Sequence, residues 1–312
     1  MKIGLLEFGS GCESPLDIVE NVLNYAERAD ELGFTRFWLA ENYVNYAAYG
    51  SPEVLVPIIA GLTSQIRVGV AGVLMAYHNP YRVASAFKVL SSLFPDRIDL
   101  GVAKGSVPAD FSALLQPDID LSGQAAWAEA FKRNSTALHN YLNGGTNADK
   151  VIPVNGSVPT LWSLTVSLQN VSALARLNTS LCRSVFHNRI DDHKREAEKL
   201  AQYRIEFYEH HQREPEITIS VAGVCAETTQ EAQRIRAGLR EPSRIEHELI
   251  GSPTYIFDEL SALKEIYDVD EFIFMNMAEE PAHKLESLEL IAGARAGYAA
   301  PVNADSGYLV AA

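Results

Sequence analysis

The chain has 312 residues and is acidic, with 26 Lys and Arg against 40 Asp and Glu for a net charge of −14, while 47% of its residues are apolar. It has no basic stripe and no apolar run near the ~20 residues of a bilayer span, which excludes nucleic acid, anionic membrane surfaces and the bilayer itself as partners. Cys12, Cys182 and Cys225 are scattered, with no CxxC and no paired Cys/His spacing. That excludes a zinc site or disulfide framework and suits reduced thiols in a cytoplasm.

In chain order, Lys2–Phe8 reads as a first strand rather than a signal peptide, because its apolar run is short. A helix follows, with Leu16, Val19, Val22, Leu23, Ala26 and Ala29 on one stripe and Gly33 as its left-handed cap. Further strands are expected at Arg36–Glu41, Arg67–Leu74, Ile98–Ala103, Thr160–Thr165, Ser184–His187, Ile217–Cys225 and Glu271–Asn276. The pairs Ser14-Pro15, Ser51-Pro52, Asn79-Pro80 and Ser252-Pro253 each place a capping side chain before a proline at the first helical position. This repeated start signal implies a repeated βα unit. Eight such strands close most simply into a (β/α)8 TIM barrel. An open doubly wound sheet is the alternative, but no Gly-x-Gly-x-x-Gly turn follows an early strand.

An excursion after the fourth strand, Ser106–Val158, departs from the simple unit. It combines a loop, a helix over Gln124–Leu142 and a polar tail, and reads as either a lid or a surface excursion. Asp191–His211 is a charged helix with a solvated outer face, and 237–253 is a less regular link. Residues 1–293 form one domain, followed by a loose Ala- and Gly-rich tail over 294–312.

Candidate functional groups fall at the strands' C-terminal ends, the ligand-binding face of such barrels. Lys104, between Gly101 and Gly105, is placed to meet an anion or is a surface lysine. Ser163, Thr165, Ser167, Asn170 and Ser172 cluster after the fifth strand, as an anion site or as ordinary capping. Glu7 and Glu41 end the first two strands and are either used or neutralised by pairs such as Glu7–Arg or Glu41–Lys104. His78 and His187 follow the third and sixth strands and are candidates for proton transfer or structural residues. His139, His193, His210, His211, His247 and His283 are expected on outer helices or links. Tyr43, Tyr46, Tyr49 and Tyr77 could rim a flat apolar pocket, with Asn42 beside them. No His/Asp/Glu cluster supports a metal site.

Three segments together resemble the bacterial luciferase-like flavin-dependent monooxygenases: residues 1–105, Trp162–Asn178 and Gly251–Gly293. Within the first, Ala40-Glu41, the strand ending near His78, and Gly101-Val102-Ala103-Lys104-Gly105 carry the likeness. The resemblance implies a barrel that uses reduced FMN, delivered by a separate flavin reductase, and dioxygen to oxygenate a small organic substrate. It further implies a homodimer through Ala48–Leu62 and Pro80–Leu93.

By position, the resemblance makes Lys104 the basic residue near the flavin phosphate and Ser167 the phosphate serine. Ala71, Gly72 and Val73 become the backbone along the ring, with Glu7 a further residue of the cofactor face. Glu41 matches the first residue of the family's Glu-His-His, whose histidines are here Asn42 and Tyr43. His187 or His78 then has to supply the proton-transfer group. The Gly-Ser before the phosphate serine is Thr165-Val166, and Asn178 stands where glycine is common. Relatives of the family use a deazaflavin for hydride transfer without oxygen, which is the second expectation. A non-catalytic flavin-binding partner subunit is the third.

Overall fold

The computed structural model describes residues 1–297 apart from Cys12, Asn45, Ser122 and 240–244. Its sheet is parallel throughout: β1 (Lys2–Glu7), β2 (Arg36–Leu39), β3 (Arg67–Leu74), β4 (Ile98–Ala103), β5 (Thr160–Thr165), β6 (Ser180–Ser184), β7 (Ile217–Cys225), β8 (Leu249–Gly251) and β9 (Glu271–Asn276). The order is β6-β5-β4-β3-β2-β1-β9-β7-β8, and β6 also pairs with β7. That pairing closes an eight-stranded barrel, with β8 as a short flap on the end of β7. Closure leaves no exposed barrel edge.

The helices are α1 (Pro15–Glu31), α2 (Val56–Leu62), α3 (Pro80–Leu93), α4 (Ala109–Leu115), α5 (Gln124–Leu142), α6 (Val171–Ala175), α7 (His193–His211), α8 (Thr229–Gly238), α9 (Pro253–Tyr267) and α10 (Pro281–Gly297). Ser14, Asn79 and Ser252 cap α1, α3 and α9 through their side chains, each followed by the first-turn proline. Ser51-Pro52 opens a single 3-10 turn before α2 instead.

Alternation along each strand separates two cores. Ile3, Phe37, Val68, Leu100, Leu161, Ile219 and Phe272 face the helices. Leu6, Trp38, Trp162, Ala222 and Ile273 fill the barrel interior, where the two indoles meet edge to face at 5.1 Å. The N-terminal end of the barrel is plugged by charge. Arg36 reaches Asp99 at 2.9 Å, Glu271 at 3.0 Å and Glu216 at 2.7 Å, and Arg67 reaches Asp99 at 2.6 Å. The Arg36 guanidinium also lies 4.5 Å from the Trp162 ring centroid.

Four expectations are corrected. β6 is Ser180–Ser184, not Ser184–His187: pairing with β5 begins at Ser180, and the apolar Val185-Phe186 runs past the sheet. Its polar residues are tolerated because Arg183 pairs with Glu196 and Ser184 with His187. The loop expected after β4 contains α4. The helix after β5 starts at Val171, leaving Ser167 in the preceding turn. Residues 294–297, expected in a loose tail, belong instead to α10, which continues to Gly297; there Arg295 donates to Leu32 O and Gly33 O at the C-terminal end of α1. The rest of that expected tail lies outside the described residues.

Candidate active site

Two chambers open at the C-terminal end of the barrel. The inner one, about 880 Å³, runs from the barrel interior (Trp38, Ala71, Gly72, Leu164, Cys182, Ile273) outward between α5 and the β5–β6 connection. The outer one, about 540 Å³, lies beneath the loops after β1, β2 and β4. They meet at Leu6, Phe8, Glu41, Leu74, Gly105, Phe186 and His187.

Glu41 is buried where the chambers join. Its carboxylate accepts from Leu74 N at 2.8 Å and Tyr43 OH at 2.8 Å, and His78 Nε2 stands 2.8 Å from the same group. Burial disfavours a charged His78, but the hydrogen bond and charge of Glu41 outweigh it and hold the His78 pKa above its ordinary value. Burial and the Glu41 charge likewise push the Tyr43 phenol up, so it stays a donor. His78 and Tyr77 line neither chamber; Tyr77 packs with Leu74, Leu121 and Ala130.

His187 lies on the boundary of both chambers. Its Nδ1 is 2.6 Å from Ser184 Oγ and its ring stacks on Phe186 at 4.1 Å, which fixes its plane. Glu7 lines the outer chamber, not the inner one, and Lys284 neutralises it at 2.8 and 2.7 Å. The ion pair expected for Glu7 therefore forms with a lysine, and Glu41 pairs with His78 rather than Lys104. Asn42 donates to Phe8 O at 2.9 Å, while its Oδ1 is buried with no partner among the described residues.

Also on the inner chamber, Lys104 stands 4.9 Å over the Trp127 ring, whose Nε1 donates to Gly105 O at 3.1 Å. Ser167 and Asn170 line the same wall. The Thr165 hydroxyl shapes that turn, donating to Ser167 O at 2.6 Å and accepting from Ser167 N at 3.1 Å. Ala71 and Gly72, joined by a cis peptide, line the chamber; Val73 points into the outer core. Cys182 is a thiol on this wall that burial pushes up to about 11, against the pull of Thr218 and Ser220.

The sequence reading missed the inner face of α5. Trp127, Phe131, Ser135 and His139 all line the chamber, so the excursion forms one of its walls. Their i, i+4 spacing is the signal that marks one helix face. It also missed Ser184, Lys284 and Met275, which no local motif announces. Among the described residues no cluster of His, Cys, Asp or Glu could hold a metal, and no helix is long and apolar enough to cross a membrane.

An (β/α)8 barrel with a deep two-chambered pocket at the strands' C-terminal ends defines a class of small-molecule enzymes. The profile of the luciferase-like monooxygenases matches residues 5–261, and the chain belongs to that family. It is 25% identical to N-acetyl-S-alkylcysteine monooxygenase of Bacillus subtilis (strain 168), over 90% of this chain and 94% of that one. Its structure matches that of apo-MsnO8 with a TM-score of 0.80 at 28% identity, over 95% of this chain and 98% of that one. The fold is shared with the FMN-bound oxygenating constituent of 3,6-diketocamphane monooxygenase from Pseudomonas putida: TM-score 0.71, 17% identity, coverage 94% and 97%. It is also shared with an F420-dependent secondary alcohol dehydrogenase: TM-score 0.69, 12% identity, coverage 93% and 98%.

Proposed function

We propose that this chain is a flavin-dependent monooxygenase that uses reduced FMN and dioxygen to oxygenate a small, mainly apolar molecule. The observation that carries this reading is the junction of two chambers at Glu41 and His187, one chamber sized for a cofactor and the other for a substrate. The inner donor set suits a flat, phosphorylated heterocycle: it combines a lysine and hydroxyl and amide side chains with backbone and apolar side chains. Reduced flavin supplies two electrons to dioxygen, so that one oxygen atom enters the substrate and the other leaves as water.

In this reading Lys104, Ser167 and Asn170 hold the phosphate, and the Ala71-Gly72 backbone flanks the ring. Phe8, Trp38, Leu164 and Ile273 exclude water, which strengthens every polar contact inside. His187, oriented by Ser184, holds or delivers a proton where the chambers meet. Tyr43, Val44, Val107, Pro108, Met275 and Met277 enclose the substrate, and Asn42 Oδ1 accepts from its hydroxyl or amide. A flavin reductase in the same cytoplasm supplies the reduced cofactor, and the chain acts as a homodimer.

Anaerobic mixing with reduced FMN, then with oxygen under rapid absorbance recording, tests the reading. Protein-bound flavin is expected to reoxidise on a course distinct from free flavin, with oxygen consumed. Absence of binding, with reoxidation at the free-flavin rate, rejects FMN; the shared fold of the F420 enzyme then makes hydride transfer by a reduced deazaflavin, without oxygen uptake, the reading to test.

A further inference from the structure

The connection from β5 to β6 carries Ser167 and Asn170 on the inner chamber wall and ends at Asn178 and Thr179. From α7, His211 Nε2 lies 3.0 Å from Ala175 O and Tyr203 OH donates to Thr179 O at 3.0 Å; just beyond the helix, Arg213 donates to Asn178 Oδ1 at 2.7 Å. From the chamber side one α5 side chain reaches it: Asn178 N donates to His139 Nε2 at 3.1 Å. An imidazole nitrogen that accepts a hydrogen bond carries no proton, so His139 is neutral, with its hydrogen on Nδ1.

We propose that His139 is a positioning residue for the cofactor: neutral, it fixes Asn178 and with it the connection that presents Ser167 and Asn170, and its protonation releases that connection. The proposal rests on reading the inner chamber as the flavin site.

The charge balance has one direction. Burial opposes a cation at His139 and the nearby His211 adds repulsion, so its pKa lies below the ordinary value. The tie is therefore complete above the ordinary histidine range and is lost as pH falls through the lower folded value. His211 does not share this sensitivity, because as a donor to Ala175 O it keeps its hydrogen bond when protonated. The other titratable or charged groups on the elements around His139 are Glu129, Lys132, Arg133 and Tyr141 of α5 itself, Tyr81, Arg82 and Lys88 of α3, Arg176 of the connection, Tyr203, Glu206 and His210 of the C-terminal half of α7, and Arg213 just beyond it.

The test follows two readouts between pH 8 and 5.5 in wild type, His139→Gln and His139→Leu. One is amide hydrogen-exchange protection across 174–179, corrected for intrinsic rates; the other is the FMN dissociation constant from fluorescence quenching. In wild type, protection and affinity are expected to fall together, roughly tenfold per pH unit below the transition, as for a single group that must be neutral. Glutamine, whose Oε1 accepts the same N–H without titrating, is expected to flatten the protection profile at the high-pH level and to leave in the affinity only the change due to titration of the FMN phosphate, whose second pKa is about 6. Leucine is expected to lose protection at every pH and to bind FMN roughly tenfold more weakly, the worth of about one buried hydrogen bond. A wild-type protection profile without an acid transition, or a glutamine variant whose protection retains it, overturns the proposal. FMN bound equally well by the leucine variant overturns the positioning role while the flavin reading stands. Protection that follows the expected pattern with no FMN binding at any pH upholds the tie to Asn178 and rejects the flavin reading.

Discussion

Glu41 shows how one buried carboxylate organises a site. Leu74 N, Tyr43 and His78 all converge on it, so Glu41→Gln replaces an acceptor oxygen with a donor and leaves at least one of them unpaired. The expected cost is about 1–3 kcal/mol, read from thermal denaturation. His78 sets the pH dependence. Its folded pKa is raised, so its contribution is complete below the ordinary histidine range and is lost as pH rises through the folded value. The deficit of the Gln variant should therefore be larger at pH 6 than at pH 8; equal deficits would reject the coupling. At the chamber junction, His187→Gln is expected to lower turnover roughly a hundredfold or more, the usual range for a proton-transfer group. FMN affinity should change little, because Lys104, Ser167 and Asn170 remain to hold the phosphate. Unchanged turnover would exclude His187. The Asn42-Tyr43 departure has a physical reading too: Tyr43 is committed to Glu41 and Asn42 to Phe8 O, so neither replaces a histidine base.

At the scale of elements, an apolar stripe is left on the outside. Val54, Ile58 and Leu62 around α2, and Val89 and Leu93 on α3, are 61, 48, 44, 44 and 64% exposed for Val54, Leu62, Ile58, Val89 and Leu93 respectively. Isolated exposed leucines need no explanation, but these residues on two successive helices are where the proposed homodimer would pack. Leu62→Glu with Leu93→Glu is expected to give monomers in sedimentation velocity where wild type gives dimers; a monomeric wild type would remove the homodimer from the reading. α5 carries the lesson about legibility. Its bounds were readable from apolar spacing, yet its inward face was not, because burial against a pocket and burial against a core produce the same periodicity. β6 failed for the opposite reason. Ser180 and Arg183 look like loop residues, and only the fold gives Arg183 its partner Glu196 on α7.

For the molecule as a whole, stability and function sit at opposite ends of the barrel. Arg36, Arg67, Asp99 and Glu271 close the N-terminal end, and the chambers occupy the other. Arg36→Met strips the buried Asp99 and Glu271 of a shared cation. The expected cost is about 3 kcal/mol or more, seen in urea denaturation, with FMN affinity of the surviving folded protein unchanged. A loss of affinity without a loss of stability would contradict that separation.

The sequence by itself determined the barrel, most helix starts and most strand bounds, because apolar periodicity and Ser-Pro and Asn-Pro caps act locally; the family came from the resemblance of three segments, 1–105, Trp162–Asn178 and Gly251–Gly293. It also placed Lys104, Ser167, Glu41 and His187 at strand ends, since each ends or follows a strand whose direction is known. Only the tertiary structure decided that His78 serves Glu41 and lines neither chamber, that Lys284 neutralises Glu7 across 277 positions of chain, and that His139 turns inward to hold Asn178. Those are pairings between distant segments, and which polar groups meet depends on barrel closure and helix rotation that no local pattern encodes.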